Sequence, residues 1–104
     1  MANSKYTIKY SQTYINQFNH ILKYFVNTLK NKIAADDFYN EVIKEIEKRS
    51  KNLESYEKYV SIKKKKSTYY RIYIRNYTIF YTVKNNIMEV RRILYSKRNI
   101  NNLV

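Results

Sequence analysis

The stretch TYYRIYIRNYTIFYTVKNNIMEVRRILYSKR, residues 68–98, constrains the fold more than any other part of the chain, because three alternating apolar and polar runs are separated by two polar dipeptides. Period-two alternation marks half-buried strands, and a two-residue connection closes a tight hairpin when its residues accept positive φ. The connections are Arg75-Asn76 and Asn85-Asn86. Asparagine is expected to supply the left-handed conformation, since the chain has no glycine. The segment therefore reads as a three-stranded antiparallel meander.

Pairing residues symmetrically about both turns sorts the side chains onto two faces. Ile74 faces Tyr77, Ile72 faces Ile79 and Tyr70 faces Tyr81, while Val83 meets Met88 and Tyr81 meets Val90, with Leu94 further along. This is an apolar layer fit to cover a core. The opposite, solvent-facing side carries Tyr69, Arg71, Tyr73, Thr78, Phe80, Thr82, Glu89, Arg91, Ile93 and Tyr95, with Arg71, Phe80 and Arg91 in one row. Arg92 breaks the scheme, because the regular register sets it on the apolar face opposite Ile79. It lies either at the rim with its charge in water or beside a bulge that shifts the register.

Upstream, Lys5–Tyr10 alternates as a strand, and Ser11 offers an N-cap hydroxyl to a following helix. From Gln12 to about Lys30 the apolar residues Ile15, Phe18, Leu22, Phe25, Val26 and Leu29 gather on one helical face. A second helix runs from about Asn31 to Lys51, with Ala35, Phe38, Tyr39, Val42 and Ile46 in its stripe. Asp36 and Asp37 near its start and Lys48, Arg49 and Lys51 near its end suit the helix dipole. The short connection makes the two helices an antiparallel hairpin whose stripes need the apolar face of the sheet. Asn52–Tyr59 reads as a connector with Leu53 and Tyr56 tucked beneath it, Lys63–Lys66 as a solvated loop, and Ser96 as the cap of a short terminal helix or tail. The fold class is α+β: an N-terminal strand, an antiparallel helix hairpin, and a three-stranded antiparallel meander completing one sheet, in one domain over residues 1–104.

Composition narrows the chemistry. With no cysteine and a single histidine, His20, neither a disulfide nor a structural zinc site is expected, and no cofactor is implied. MANSKYTIKY lacks the apolar run of a signal peptide and no run of about 18 apolar residues occurs, so a cytoplasmic protein with no membrane partner is expected. Net charge is +13 and unevenly spread: residues 1–57 hold 9 basic and 7 acidic side chains, whereas residues 58–104 hold 12 basic ones and only Glu89. Such a field favours polyanions, nucleic acid or an acidic protein segment. Lysine and tyrosine abundance also fits an AT-rich coding bias, but that bias does not place five of six arginines between Arg71 and Arg98.

The opening KYTIKYS, the helix hairpin, and YYRIYIRNYTIFYTVKNNIMEVRRILYSKRNI with its arginine strand, Y-x-I-F-Y strand and R-I-L ending together resemble the RelE/ParE superfamily of bacterial type II toxin–antitoxin toxins. The resemblance spans nearly the whole chain. It implies a growth-arresting toxin neutralised by a cognate antitoxin, acting on DNA gyrase as ParE-like members do or on ribosome-bound mRNA as RelE-like endoribonucleases do. The long helix hairpin resembles the ParE branch. Under the RelE-like alternative, Arg71, Arg91, Tyr95 and Arg98 are the candidate catalytic residues. Thr78, however, stands where that branch has arginine, and Tyr95 where many relatives have histidine.

Lys63, Lys64, Lys65, Lys66, Tyr69, Tyr73, Arg75 and Phe80 are the candidate target- or nucleic-acid-binding residues. A third reading outside the family is a non-catalytic module whose sheet face binds single strands. Oligomeric state is left open.

Overall fold

The structure is a computed structural model that describes residues 6–51, 58–59 and 69–96. Thr7–Tyr10 forms β1, Gln12–Lys23 forms α1, a π-helical turn covers Tyr24–Thr28, and Lys32–Arg49 forms α2. Lys58–Tyr59 (β2), Tyr69–Ile74 (β3), Tyr77–Lys84 (β4) and Ile87–Tyr95 (β5) follow. All strands join one sheet in the order β1-β5-β4-β3-β2, with β1 parallel to β5 and the other pairs antiparallel. The expected strand, helix hairpin and meander are present. The backbone of Lys58–Tyr59, read from sequence as connector, adds an edge strand against β3. Leu53, Tyr56, Lys63–Lys66, Arg98 and the expected terminal helix lie outside the described residues.

Ser11 caps α1 as expected, its hydroxyl accepting the Tyr14 N–H at 3.0 Å. Asn31 caps α2, its side-chain oxygen accepting the Ala34 N–H at 3.0 Å. The helices lie on one face of the sheet, where Tyr14, Phe18, Phe38, Val42 and Ile46 meet Tyr70, Ile72, Ile74, Ile79, Tyr81, Met88, Val90 and Ile93 in one core. Among the described residues, no helix is long and apolar enough to cross a membrane.

The first helix departs from its expected stripe at its C-terminal end. Leu29 N–H bonds the Tyr24 carbonyl at 3.1 Å, an i to i+5 closure that inserts one extra residue into the turn. An extra residue rotates everything after it by roughly 100°. Phe25 stays packed on the core, while Val26 and Leu29 are exposed, as is Ile15. Tyr14, absent from the expected stripe, is buried instead. Tyr39 is also half outside, stacked on Phe18 with ring centroids 5.8 Å apart.

The two hairpin turns differ from each other. At the second, Asn85 (φ 54°) and Asn86 (φ 65°) are both left-handed, as a type I′ turn requires. At the first, Arg75 takes the left-handed conformation (φ 53°) and Asn76 does not, against the expectation that asparagine would do so. A side chain with a Cβ is strained there by roughly 1–2 kcal/mol. Contacts to α2 offset part of that cost: the Arg75 guanidinium donates to Glu41 at 2.9 Å and lies 5.6 Å over the Phe38 ring.

The β3–β4 register is the expected one throughout, with Tyr70 opposite Tyr81, Arg71 opposite Phe80 and Ile72 opposite Ile79. β4–β5 follows the expectation only from the turn to the Tyr81–Val90 pair. There the ladder skips a residue: Phe80 pairs with Arg92, Ile79 with Ile93, Thr78 with Leu94 and Tyr77 with Tyr95. Arg91 is the extra residue of a β-bulge, and a one-residue slip sends every later side chain to the other face. The sequence conflict at Arg92 is thereby resolved, because Arg92 stands opposite Phe80 on the outer face. The expected positions of Ile93, Leu94 and Tyr95 are overturned: Ile93 and Tyr95 join the helix side with Ile79 and Tyr77, and Leu94 joins Thr78 on the other.

Candidate functional site

The bulge is held by the start of α1. β1 ends at Tyr10, paired with Val90, and the chain turns away at Ser11, whose N–H donates to the Val90 carbonyl at 2.9 Å. The Ser11 hydroxyl donates to the Arg91 carbonyl at 2.8 Å while accepting from Tyr14 N–H. Two successive carbonyls therefore point to the same edge of β5, which a regular strand cannot arrange. One serine caps a helix and anchors a bulge.

The consequence on the outer face is a cluster of arginines. Arg71 and Arg92 flank Phe80 across three strands. Arg91 stays on that face, since its guanidinium donates to Glu89 at 3.2 Å and Glu89 is paired with Thr82. Both partners of this pair are about two-fifths exposed, so the pair contributes under about 1 kcal/mol and leaves Arg91 able to exchange it for another anion. The Arg71 guanidinium lies 5.3 Å over the ring of Tyr73, which is 63 % exposed. This is a cationic, partly aromatic surface that can bind carboxylates or phosphates bidentately.

Several candidate residues do not serve as the sequence suggests. Phe80 is fully buried and Tyr69 nearly so, their rings edge-on at 6.2 Å, so neither is an exposed stacking platform. Thr78 and Leu94 are buried as well, with Thr78 Oγ1 and Ser96 Oγ hydrogen-bonded at 2.8 Å. The centre of the outer face is closed, while among the described residues its margin at Arg71, Tyr73, Thr82, Glu89, Arg91 and Arg92 is open in part. Arg75 belongs to α2's contacts rather than to this margin. Tyr95, a catalytic candidate in the RelE-like reading, lies on the helix side against Tyr77 at 5.8 Å, away from the arginines. Arg92 is the arginine that regular alternation misplaced, and the Arg91-Arg92 pair inside an apolar run was its only signal.

Among the described residues, the proton-transfer groups beside the arginines are the Glu89 carboxylate, paired with Arg91, and the Tyr73 phenol; the histidine is not with them. His20 is on α1, on the helix side, where it lines a groove of roughly 640 Å³ with Asn16, Gln17, Tyr24, Tyr77 and Tyr95 among others. Burial, followed by the neighbouring Tyr24 and Tyr95 phenols, pushes the Tyr77 hydroxyl up. Burial again, then Glu47 and Tyr39, raises Tyr10. Tyr14 is raised furthest, through burial and then through Tyr10 and Tyr39. Phenols shifted in this direction stay protonated at neutral pH and are poor general bases. Among the described residues, no cluster of histidine and carboxylate side chains could hold a metal ion.

Sequence reasoning also missed Arg49. At the end of α2 its guanidinium donates to the Arg71 carbonyl at 2.8 Å and to the Tyr81 hydroxyl at 3.3 Å, and it stands 5.8 Å over the Tyr81 ring. It ties the helix hairpin to the strand that carries Arg71.

Residues 8–100 match the family described as ParE toxin of type II toxin-antitoxin system, parDE. Among solved structures, the chain is similar to one titled "Chromosomal ParDE TA system from P. aeruginosa", with a TM-score of 0.72 at 9% identity, covering 91% of this chain and 100% of that one. At that identity the likeness is one of fold. Comparison with curated proteins gives no match.

Proposed function

We propose a mechanism on the premise that this chain belongs to the ParE toxin family of type II toxin–antitoxin systems: it arrests growth by binding and poisoning DNA gyrase, with the arginine margin of the outer face as its gripping surface. An antitoxin partner follows from the family. The observation that carries the gyrase reading is the make-up of that margin. Three arginines and one exposed tyrosine suit a protein that holds a partner, whereas the one histidine lies on the helix side. A ribosome-dependent ribonuclease needs a group that takes the 2′-hydroxyl proton near neutral pH. The described tyrosines with displaced pKa values are displaced the wrong way for that task.

The test is induced expression in cells, followed by primer extension on mRNA and by assay for gyrase-linked DNA breaks. DNA breakage with intact mRNA is the expected result; codon-phased mRNA cleavage would replace the gyrase reading with the ribonuclease one. A triple variant, Arg71→Ala with Arg91→Ala and Arg92→Ala, is expected to lose growth arrest at matched expression. It should keep its fold, because each side chain lies outside the helix-side core. Full toxicity of the folded variant would remove this margin from the mechanism.

A further inference from the structure

β5 carries two arginines in succession, and the bulge turns both the same way. In a regular strand adjacent side chains leave opposite faces of the sheet. Here Arg92 stands opposite Phe80 on the outer face, and Arg91 stays on that face through its contact with Glu89. Two guanidinium groups from neighbouring residues therefore emerge together.

Into this cationic surface the sequence places one carboxylate. Residues 58–104 hold 12 basic side chains, and Glu89 is their only acidic one. The other acidic side chains among the described residues, Asp36, Asp37, Glu41, Glu45 and Glu47, belong to α2 on the opposite side of the sheet. Glu89 Oε1 accepts from Arg91 Nη1 at 3.2 Å, longer than the roughly 2.7–2.9 Å of a strong charge-assisted bond, and both side chains are about two-fifths exposed. An internal anion thus sits loosely where an external one would bind.

We infer that Arg91 and Arg92 form a phosphate-binding site for the backbone of duplex DNA, and that Glu89 is its built-in competitor, holding Arg91 until a polyanion displaces it. This rests on the gyrase reading and names what the margin grips: the DNA that the enzyme holds. A single carboxylate from a protein surface gains little here. It would replace an equivalent carboxylate already tethered in place, and would lose its own freedom in doing so. A DNA backbone differs, because it carries about one charge per 1.7 Å of helix axis and releases condensed counterions as arginines neutralise it. It also meets both guanidinium forks at once, and their planar geometry matches phosphate oxygens. Glu89 therefore lowers the affinity of a strongly basic chain for nucleic acid in general.

The test is fluorescence anisotropy of the full chain with a short labelled DNA duplex over a range of salt concentrations. Glu89→Gln should bind about threefold to fivefold more tightly than wild type at low salt, and its log affinity should fall with log salt more steeply by about 0.9, the increment of one further phosphate contact. In an Arg91→Ala background the same substitution should gain less than about twofold, as should Asp36→Asn, which removes one negative charge from α2. Unchanged duplex affinity in Glu89→Gln, or equal gains from all three comparisons, would overturn the site. Tighter binding of that variant to DNA-free gyrase, with duplex affinity unchanged, would also overturn it, in favour of an acidic protein surface. Arg91→Ala combined with Arg92→Ala supplies a measure independent of Glu89, since its salt slope should be shallower than wild type by about 1.8. Gyrase-linked breaks in cells, together with a negative duplex result, would remove the phosphate site and keep the gyrase reading. A positive duplex result without such breaks would do the reverse.

Discussion

The two hairpins of the meander are built from adjacent sequence of similar character, yet they solve opposite problems. The β3–β4 hairpin has an unsuitable turn and a regular ladder: Arg75 is strained at φ 53°, and every pair from Ile74–Tyr77 to Tyr70–Tyr81 is in register. The β4–β5 hairpin has a well-suited Asn85-Asn86 turn and a ladder broken between Phe80 and Tyr81. A good turn therefore does not protect register, and a poor one does not spoil it. What decides each case is the helix packed nearby, α2 through Glu41 and Phe38 for the first and the start of α1 through Ser11 for the second.

The sharpest way to break this comparison is to exchange the burial of neighbours in β5. With the bulge, Ile93→Ala should destabilise by about 2–4 kcal/mol and Arg92→Ala by under about 1 kcal/mol, measured by urea unfolding. A regular register demands the reverse order. Next in size, Ser11→Ala removes the α1 cap and the donor to Arg91 together, and a loss of about 2 kcal/mol is expected, more than a cap alone costs. A loss typical of an isolated cap would mean that the bulge holds without α1.

Tyr14 sits beside this anchor, with its hydroxyl buried and without a hydrogen-bond partner among the described residues. Tyr14→Phe should therefore raise stability by up to about 1 kcal/mol. Its hydroxyl titrates well above the ordinary value of 10.0, because burial disfavours the phenolate. The folded state then holds this proton more tightly than the unfolded state. Stability from this group is complete below pH 10 and declines as pH rises beyond it, and the Phe variant should lack that part of the alkaline loss in thermal melts. The smallest effect belongs to the first hairpin. Arg75→Asn relieves strain and forfeits the Glu41 and Phe38 contacts, so the change in stability should be within about 0.5 kcal/mol. A large loss would show that those contacts, rather than the backbone, govern that turn.

Much of the fold was legible because its signals are local. Ser11 and Asn31 announced the helix starts, the Ala35, Phe38, Val42 and Ile46 stripe announced the buried face of α2, and the alternation of β3 and β4 predicted their register pair by pair. The candidate site was legible in part. Arg71 and Arg91 were expected on the outer face and lie there, but Arg92 was visible only as a contradiction, Phe80 is buried rather than open, and Tyr95 lies on the helix side. The misplacements at the end of the first helix and in β5 have one physical origin. A periodic reading carries its phase forward unchanged, and a single inserted residue, at the Tyr24–Thr28 π-turn or at Arg91, resets that phase without any residue type that must mark it.

By itself, then, the amino-acid order determined which segments become helix and strand, the α+β arrangement, and the concentration of positive charge in the second half. Only the tertiary structure decided where two helical and strand periods slip by one residue, and so which arginines share a face and which stretch of β5 looks into the groove. The reason is that a slip costs local hydrogen bonds and is repaid by partners distant in the chain, here a Ser11 hydroxyl eighty residues from the carbonyl it binds.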